Sequence, residues 1–183
     1  MHAEDVAADL SQVLYTEAEI RARIAELCRA IEVDYAGRRP LLVGVLKGAV
    51  MVMADLAREL RMDIEMDWMA VSSYGHSTVS SGVVRIVKDL DIDLNGRDVL
   101  IVEDIVDSGL TLNWLRENLA SRNPASLEIC ALLRKPEAAK VEIDVKYVGF
   151  DIPTAFVVGY GLDYAERYRN LRDVGILAPH VYS

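Results

Sequence analysis

The sequence predicts an α/β protein whose mostly parallel sheet is covered by helices on both faces. Three observations carry that expectation. LLVGVL (residues 41–46) and VLIVED (99–104) are continuous apolar runs; each leads through a glycine-containing turn into a helical stretch; and a third apolar run, SLEICALL (126–133), follows the second unit. Strands that are apolar on both sides and alternate with helices belong to parallel sheets, because the crossover helices bury both faces.

The elements follow in order. Thr16 with Glu19 three residues later makes a capping box, and Ile20, Ile24, Leu27 and Ile31 recur at helical spacing, so 16–31 reads as an amphipathic helix. Pro40 precedes the first apolar strand, and Gly48 leads into the helical AVMVMADLAREL (49–60). DIEMDWMAV (63–71) reads as a strand, SSYGHSTVSSG (72–82) is dense in Ser, Thr and Gly, and VVRIVKDL (83–90) returns to a strand pattern. Two strands joined by a long mobile loop are expected there. TLNWLRENLA (111–120) is the helix of the second unit.

The last quarter holds strand-like VKYVGF and AFVVGYGL, the polar aromatic DYAERYRNLRD and a final ILA, which read as a small subdomain built with residues from both chain ends. Without an internal repeat, heptad run or linker, the expected organisation is one domain over 1–183, with a core at about 38–145 and a hood from about 1–37 and 146–183.

Composition narrows the function. Hydrophobic residues make up 52% and charged residues 27% of the chain, with 11 Gly and 5 Pro, enough apolar material for a packed core and no sign of disorder. The formal charge of −9 repels phosphate backbones and anionic membranes at long range, so general nucleic-acid and membrane binding are disfavoured. The acidic start MHAEDVAADL lacks the basic and apolar regions of a leader, and no stretch approaches the ~20 apolar residues of a membrane span, so a cytoplasmic location is expected. Cys28 and Cys130 lie in apolar-periodic segments and read as buried, reduced thiols.

The segment VLIVEDIVDSGLT (99–111) says most about chemistry. Ligands of open α/β sheets bind beyond the carboxyl ends of strands, and a glycine turn opening a helix offers free N–H groups to a phosphate. Ser108, Gly109 and Thr111 therefore read as a phosphate cradle. Glu103 and Asp104 would repel that phosphate unless they bind a sugar diol or lie near a divalent cation. The combination calls for a sugar phosphate with Mg²⁺.

This run resembles the thirteen-residue phosphoribosyl-pyrophosphate (PRPP) motif of the type I phosphoribosyltransferases: four apolar residues, two acids, two apolar residues, then Asp, Ser, Gly, any residue and Thr. LKGA (46–49), SYG (73–75), Lys135 within LLRKP, and VGFDIPTAFVVGYGLDYAERYRNL (148–171) resemble the hypoxanthine-guanine branch of that family. The resemblance covers about residues 41–171. It implies the type I phosphoribosyltransferase fold, with a small hood from the two chain ends, and transfer of the phosphoribosyl group from PRPP to N9 of hypoxanthine or guanine, giving IMP or GMP and pyrophosphate.

Carried over by position, the resemblance implies that Glu103 and Asp104 hold the ribose hydroxyls and that Ser108, Gly109, Leu110 and Thr111 hold the 5′-phosphate. Asp107 would handle the purine N7 proton, Lys135 would reach the 6-oxo group, Phe156 would stack on the purine, and Val157 would pair with it through its backbone. Asp163 would lie near the 2-position and a metal-bound water, so Mg²⁺ would be held, directly or through water, by Glu103, Asp104 and Asp163. Lys47, Gly48 and Arg169 would hold pyrophosphate, and Ser73 and Tyr74 would belong to a closing loop. A homodimer or homotetramer is also implied.

The chemistry agrees. Displacing pyrophosphate leaves cationic character on the ribose and negative charge on the leaving group, so cations must converge there, and an acidic protein needs that local inversion of field. Taken alone, Lys135 and Arg169 would read as solvated surface residues and Phe156 as core; their place in matched segments changes that.

Ala49 stands where many relatives carry a second glycine, so a tuned pyrophosphate loop is expected. Asp91 to Gly96 imitates the start of a calcium loop, but position twelve is Val102, and it reads as a turn. Gly44–Gly48 and Gly159–Gly161 lack the context of a Walker or dinucleotide site, and His2, His76 and His180 are too scattered for a metal cluster. Xanthine as the favoured base, and a PRPP-binding regulator that binds RNA or DNA, are the competing readings.

Overall fold

The computed structural model describes residues 1–73 and 84–182. In chain order the elements are β1 (Leu10–Tyr15), α1 (Glu17–Asp34), β2 (Leu41–Leu46), α2 (Val50–Glu59), β3 (Glu65–Ser73), β4 (Val84–Lys88), β5 (Asp98–Val106), α3 (Leu110–Ala120), β6 (Ser126–Arg134), β7 (Tyr147–Asp151), β8 (Val157–Val158), β9 (Val174–Leu177) and the short α4 (Pro179–Tyr182). Six strands form the main sheet in the order β4-β3-β2-β5-β6-β7. All its pairings are parallel except β3 with β4 at one edge.

The period of two within each apolar strand decides what it covers. Leu42, Leu100, Val102, Cys130 and Leu132 face the core made with Ile20, Ile24, Leu27 and Ile31 of α1 and Val52, Met53 and Leu56 of α2. Leu41, Val43, Val45, Val99, Ile101, Ile129 and Ala131 face the opposite core, against Leu112, Leu115 and Leu119 of α3. Continuous apolar runs were therefore needed, since each strand is buried on both sides. Both cysteines are free and buried, as expected.

From β2 the chain moves outward to β3, then returns across the sheet to β5 and continues to β6 and β7, so the strand order reverses between β2 and β5. The crevice beyond the carboxyl ends of strands at such a reversal is where open α/β sheets place ligands.

A second sheet, β1-β9-β8, is antiparallel and joins the two chain ends, with Leu10 opposite Leu177 and Val157 opposite Ile176. β1 is an element the sequence pattern does not announce: Leu10–Tyr15 has no clean alternation and is only partly buried. The second sheet is also narrower than the hood expected over 1–37 and 146–183. α1 packs its apolar stripe beside α2 on the main sheet, and β7 pairs in parallel with β6, because both have an apolar face that only the large core can cover.

The helix start is the capping box expected: Glu19 N–H donates to Thr16 Oγ1 at 3.4 Å, and Thr16 N–H donates to Glu19 Oε2 at 2.8 Å. Residues 91–96 form a turn, with the Asp91 and Ile92 N–H groups donating to the buried carboxylate of Asp67 at 2.8 and 3.0 Å. No helix among the described residues is long and apolar enough to cross a membrane.

Candidate active site

Three neighbouring strands deliver the predicted residues to the carboxyl end of the sheet: β2 leads to Lys47 and Gly48, β5 carries Glu103 and Asp104 and leads to Asp107, and β6 leads to Lys135. The backbone is packed tightly here. A methyl group on Gly48 would lie 1.7 Å from Asp104 Oδ2, and one on Gly161, whose φ is +100°, would lie 2.0 Å from the Gly48 carbonyl oxygen. Gly48 is thus held between the carboxylate of Asp104 and the segment carrying Gly161. Only residues without a Cβ fit that stack.

Ala49 behaves differently from its neighbour. Its backbone is right-handed (φ −71°, ψ −1°), and its side chain is fully buried in the α1–α2 core. The position tolerates a side chain because it already begins the helix.

Glu103 is 8% exposed, and burial pushes its carboxyl well above the usual carboxylate range, with the charge of Asp104 adding to the effect. Burial likewise pushes Asp104 up to about 6, opposed by the Ile105 N–H that donates to its Oδ1 at 2.8 Å. Among the described residues no cationic side chain forms an ion pair with either carboxylate, and no group of three or more His, Cys, Asp or Glu side chains is arranged to hold a metal. Asp163 pairs with Arg169 and lies near enough to Asp104 for its charge to add to the upward shift there. A buried and a half-buried carboxylate, neither held in an ion pair, suit a hard divalent cation that takes its other ligands from water and substrate oxygens, which is how Mg²⁺ is usually held.

Beyond β5 the chain turns through Ser108 and Gly109. Gly109, at φ +78°, is the residue before α3, and Ser108 Oγ accepts the Leu110 N–H at 3.4 Å. The first amides of a helix have no intrahelical acceptor, so this turn presents donors at the positive end of α3, as a phosphate requires.

Asp107 and Lys135 meet directly. Lys135 Nζ donates to Asp107 Oδ2 at 2.8 Å; Lys135 is 8% exposed, whereas the Asp107 carboxylate faces solvent. A lysine predicted to recognise an oxygen and an aspartate predicted to move a proton therefore form one unit.

Lys47 and Arg169 are also brought together, through a residue that the sequence reading missed. Glu166 Oε2 lies 3.1 Å from Lys47 Nζ, and Glu166 Oε1 lies 3.3 Å from Arg169 Nη2. Arg169 further pairs with Asp163 Oδ1 at 2.9 Å and donates to the Gly161 carbonyl at 2.9 Å. The available signal was the three-residue spacing of Glu166 and Arg169 in ERYR, which is too common to stand out among surface charges.

Phe156 precedes β8 and is exposed, as a base platform must be, and Val157 is a buried member of the small sheet. Tyr182 stacks on Phe156 with ring centroids 5.3 Å apart, and Tyr164 meets it edge-on at 5.7 Å. Tyr182 is a second residue absent from the sequence reading, because a terminal tyrosine far along the chain gives no sign of its partner. Ser73 ends β3, opposite Val84 of β4. Tyr74, like the remainder of the expected closing loop, lies outside the described residues.

Comparison with known proteins identifies the family. A family model described as a phosphoribosyl transferase domain matches residues 11–165. The hypoxanthine-guanine phosphoribosyltransferase of Mycobacterium tuberculosis (strain ATCC 25618 / H37Rv) is 59% identical over 186 residues, covering 98% of this chain and 92% of that protein. The Bacillus subtilis (strain 168) enzyme of the same name is 53% identical over 95% of this chain and 97% of its own. The crystal structure of a Staphylococcus aureus hypoxanthine phosphoribosyltransferase superposes with a TM-score of 0.94 at 47% identity, covering 98% of this chain and 97% of that one.

Proposed function

The chain belongs to the phosphoribosyl transferase family and is a hypoxanthine-guanine phosphoribosyltransferase of purine salvage, and from that premise we propose how its own residues divide the reaction. N9 of hypoxanthine or guanine bonds to the anomeric carbon of PRPP, the bond to the pyrophosphate oxygen breaks with its electron pair, and the purine gives up the proton on N7. The products are IMP or GMP and pyrophosphate.

The Asp107–Lys135 pair beside the helix-opening turn is the observation that carries this assignment. Lys135 donates to the purine 6-oxo group and, by its bond to Asp107, orients the carboxylate that takes the N7 proton. Phe156 stacks on the ring, the Val157 backbone pairs with its edge, and Asp163 faces its 2-position. Glu103 and Asp104 accept hydrogen bonds from the ribose hydroxyls, and Ser108 to Thr111 receive the 5′-phosphate.

Lys47, Gly48 and Arg169 face the leaving pyrophosphate, where negative charge accumulates in the transition state. Mg²⁺, when bound beside Glu103 and Asp104, would neutralise pyrophosphate and sugar oxygens as a Lewis acid. Two adjacent carboxylates, Glu103 buried and Asp104 half-buried, without an ion-pair partner among the described residues support that assignment.

We also place the enzyme in the cytoplasm as a homodimer or homotetramer, following the family resemblance. The competing RNA- or DNA-binding regulator gains nothing from a net charge of −9. The deciding experiment incubates the purified chain with PRPP, Mg²⁺ and hypoxanthine, guanine, xanthine, adenine or uracil separately, and resolves the nucleotides by chromatography. IMP and GMP with little AMP or UMP are expected. No nucleotide from any base, together with protection against heat by PRPP, would replace the transferase by a PRPP-sensing regulator.

A further inference from the structure

We infer that the Glu166 carboxylate competes with pyrophosphate for Lys47 and Arg169, so that this one side chain sets how tightly the enzyme holds PRPP and how readily it releases pyrophosphate. The inference rests on the assignment of those two cations to pyrophosphate. Glu166 bridges them, with Oε2 3.1 Å from Lys47 Nζ and Oε1 3.3 Å from Arg169 Nη2. A carboxylate and a pyrophosphate oxygen present the same chemistry to an ammonium and a guanidinium, and the donors that serve one are withdrawn from the other.

The construction favours exchange over permanent bracing. The Lys47 and Glu166 side chains are 65% and 64% exposed, so their pair is weak and screened by water. Arg169 keeps Asp163 and the Gly161 carbonyl as partners when Glu166 turns away, so it stays aimed at the site. Lys47 has only Glu166 as an ion-pair partner among the described residues.

The backbone under Glu166 is pinned in a left-handed conformation at φ +62°. Its N–H donates to Asp163 Oδ2 at 2.9 Å, and Tyr164 and Arg167 hydrogen-bond each other across the turn. Release therefore needs only rotation of an exposed side chain into water. A single carboxylate yields to a polyanion that brings several charges to the same cations, and it returns to them as pyrophosphate leaves. The neighbouring Arg169 and Lys47 hold the Glu166 carboxyl below the usual carboxylate range.

The test measures pyrophosphate affinity by calorimetry, in magnesium chloride, for the full chain and for Glu166→Gln and Glu166→Ala, alongside the KM values for PRPP and hypoxanthine. Competition predicts tighter pyrophosphate and a lower KM for PRPP in both variants, about two- to fivefold as befits an exposed pair, with the KM for hypoxanthine unmoved. A gain that shrinks as salt rises would mark its electrostatic origin. A bracing role predicts the reverse sign, weaker pyrophosphate and a higher KM for PRPP; that result, or no change in either variant, overturns the inference. Wild-type protein that binds no pyrophosphate and makes no IMP would overturn the transferase assignment and the inference with it, whereas an active wild type with unmoved variants removes the inference alone.

Discussion

Gly48 and Asp104 approach so closely that a methyl group on the glycine would lie 1.7 Å from Asp104 Oδ2. The end of β2 is thereby built against the end of β5, and the segment proposed for pyrophosphate shares a wall with the acids proposed for ribose. Gly48→Ala has to push the carboxylate or the loop aside, an overpacking cost of about 1–3 kcal/mol. At roughly 2–4 °C per kcal/mol for a chain of this size, the melting temperature should fall by about 2–12 °C. The KM for PRPP should rise at least tenfold. Ala49→Gly should leave the KM for PRPP within about twofold, because Ala49 already has helical backbone angles. Melting curves and initial rates check both, and equal effects at the two positions would contradict the packing argument.

Asp107→Asn should lower kcat by about 10²–10⁴, the usual worth of a positioned acid or base, while leaving PRPP binding largely intact. Because Lys135 is buried and paired to it, the same change removes the lysine's counterion and should lower the melting temperature as well. Lys135→Ala should chiefly raise the KM for purine through loss of the 6-oxo contact. Steady-state kinetics with each substrate varied separates these effects; unchanged turnover in Asp107→Asn would remove that residue from its role.

The parallel sheet and the acid–cradle segment were legible in the sequence for one physical reason: both are local. A strand buried on two faces must be apolar throughout, and a phosphate turn must supply its own glycine and hydroxyls, so Leu41–Leu46 and Val99–Thr111 carry their structure in consecutive residues. What was missed depends on contacts between distant segments. β1 is a strand only because Val174–Leu177 lies beside it, and Tyr182 matters only because the fold lays it on Phe156. Glu166 was hidden in another way, as one acid among many until the fold placed Lys47 beside it.

The stacked pair of Phe156 and Tyr182 makes a separate prediction. An aromatic pair contributes about 0.5–1.5 kcal/mol beyond its buried area, so Tyr182→Ala should loosen the proposed purine platform and raise the KM for hypoxanthine about two- to tenfold, with the KM for PRPP unmoved. Tyr182→Phe keeps the ring and should restore wild-type kinetics. A KM for hypoxanthine that stays put in Tyr182→Ala would separate the terminal ring from purine binding.

The buried acids should make stability depend on pH in a direction opposite to that of an ordinary salt-bridged carboxylate. Burial raises Asp104 from its ordinary 3.8 to about 6 and raises Glu103 well above its usual range. Between the unfolded and folded values the folded chain holds protons that the unfolded chain has released. The contribution of Asp104 to stability is therefore fully present below about pH 4 and is lost as the pH rises through about 6, and Glu103 acts in the same direction. Surface carboxylates held low by arginines, such as Asp89 and Asp151, work the other way, so the comparison must be made against a variant rather than across pH alone. Asp104→Asn keeps an oxygen for the Ile105 N–H and removes the charge. It should raise the melting temperature of the ligand-free enzyme at pH 8, by up to about 4–8 °C for a stabilisation on the order of 2 kcal/mol. The gain should be smaller at pH 5, partway through that window, and should vanish below about pH 4, where the folded and unfolded chains both hold the proton. Magnesium chloride should stabilise the wild type at pH 8, less at pH 5, and the variant at neither, because a divalent cation competes with protons for the same two carboxylates. A variant that melts at the wild-type temperature at both pH values would mean that Asp104 carries no burial penalty.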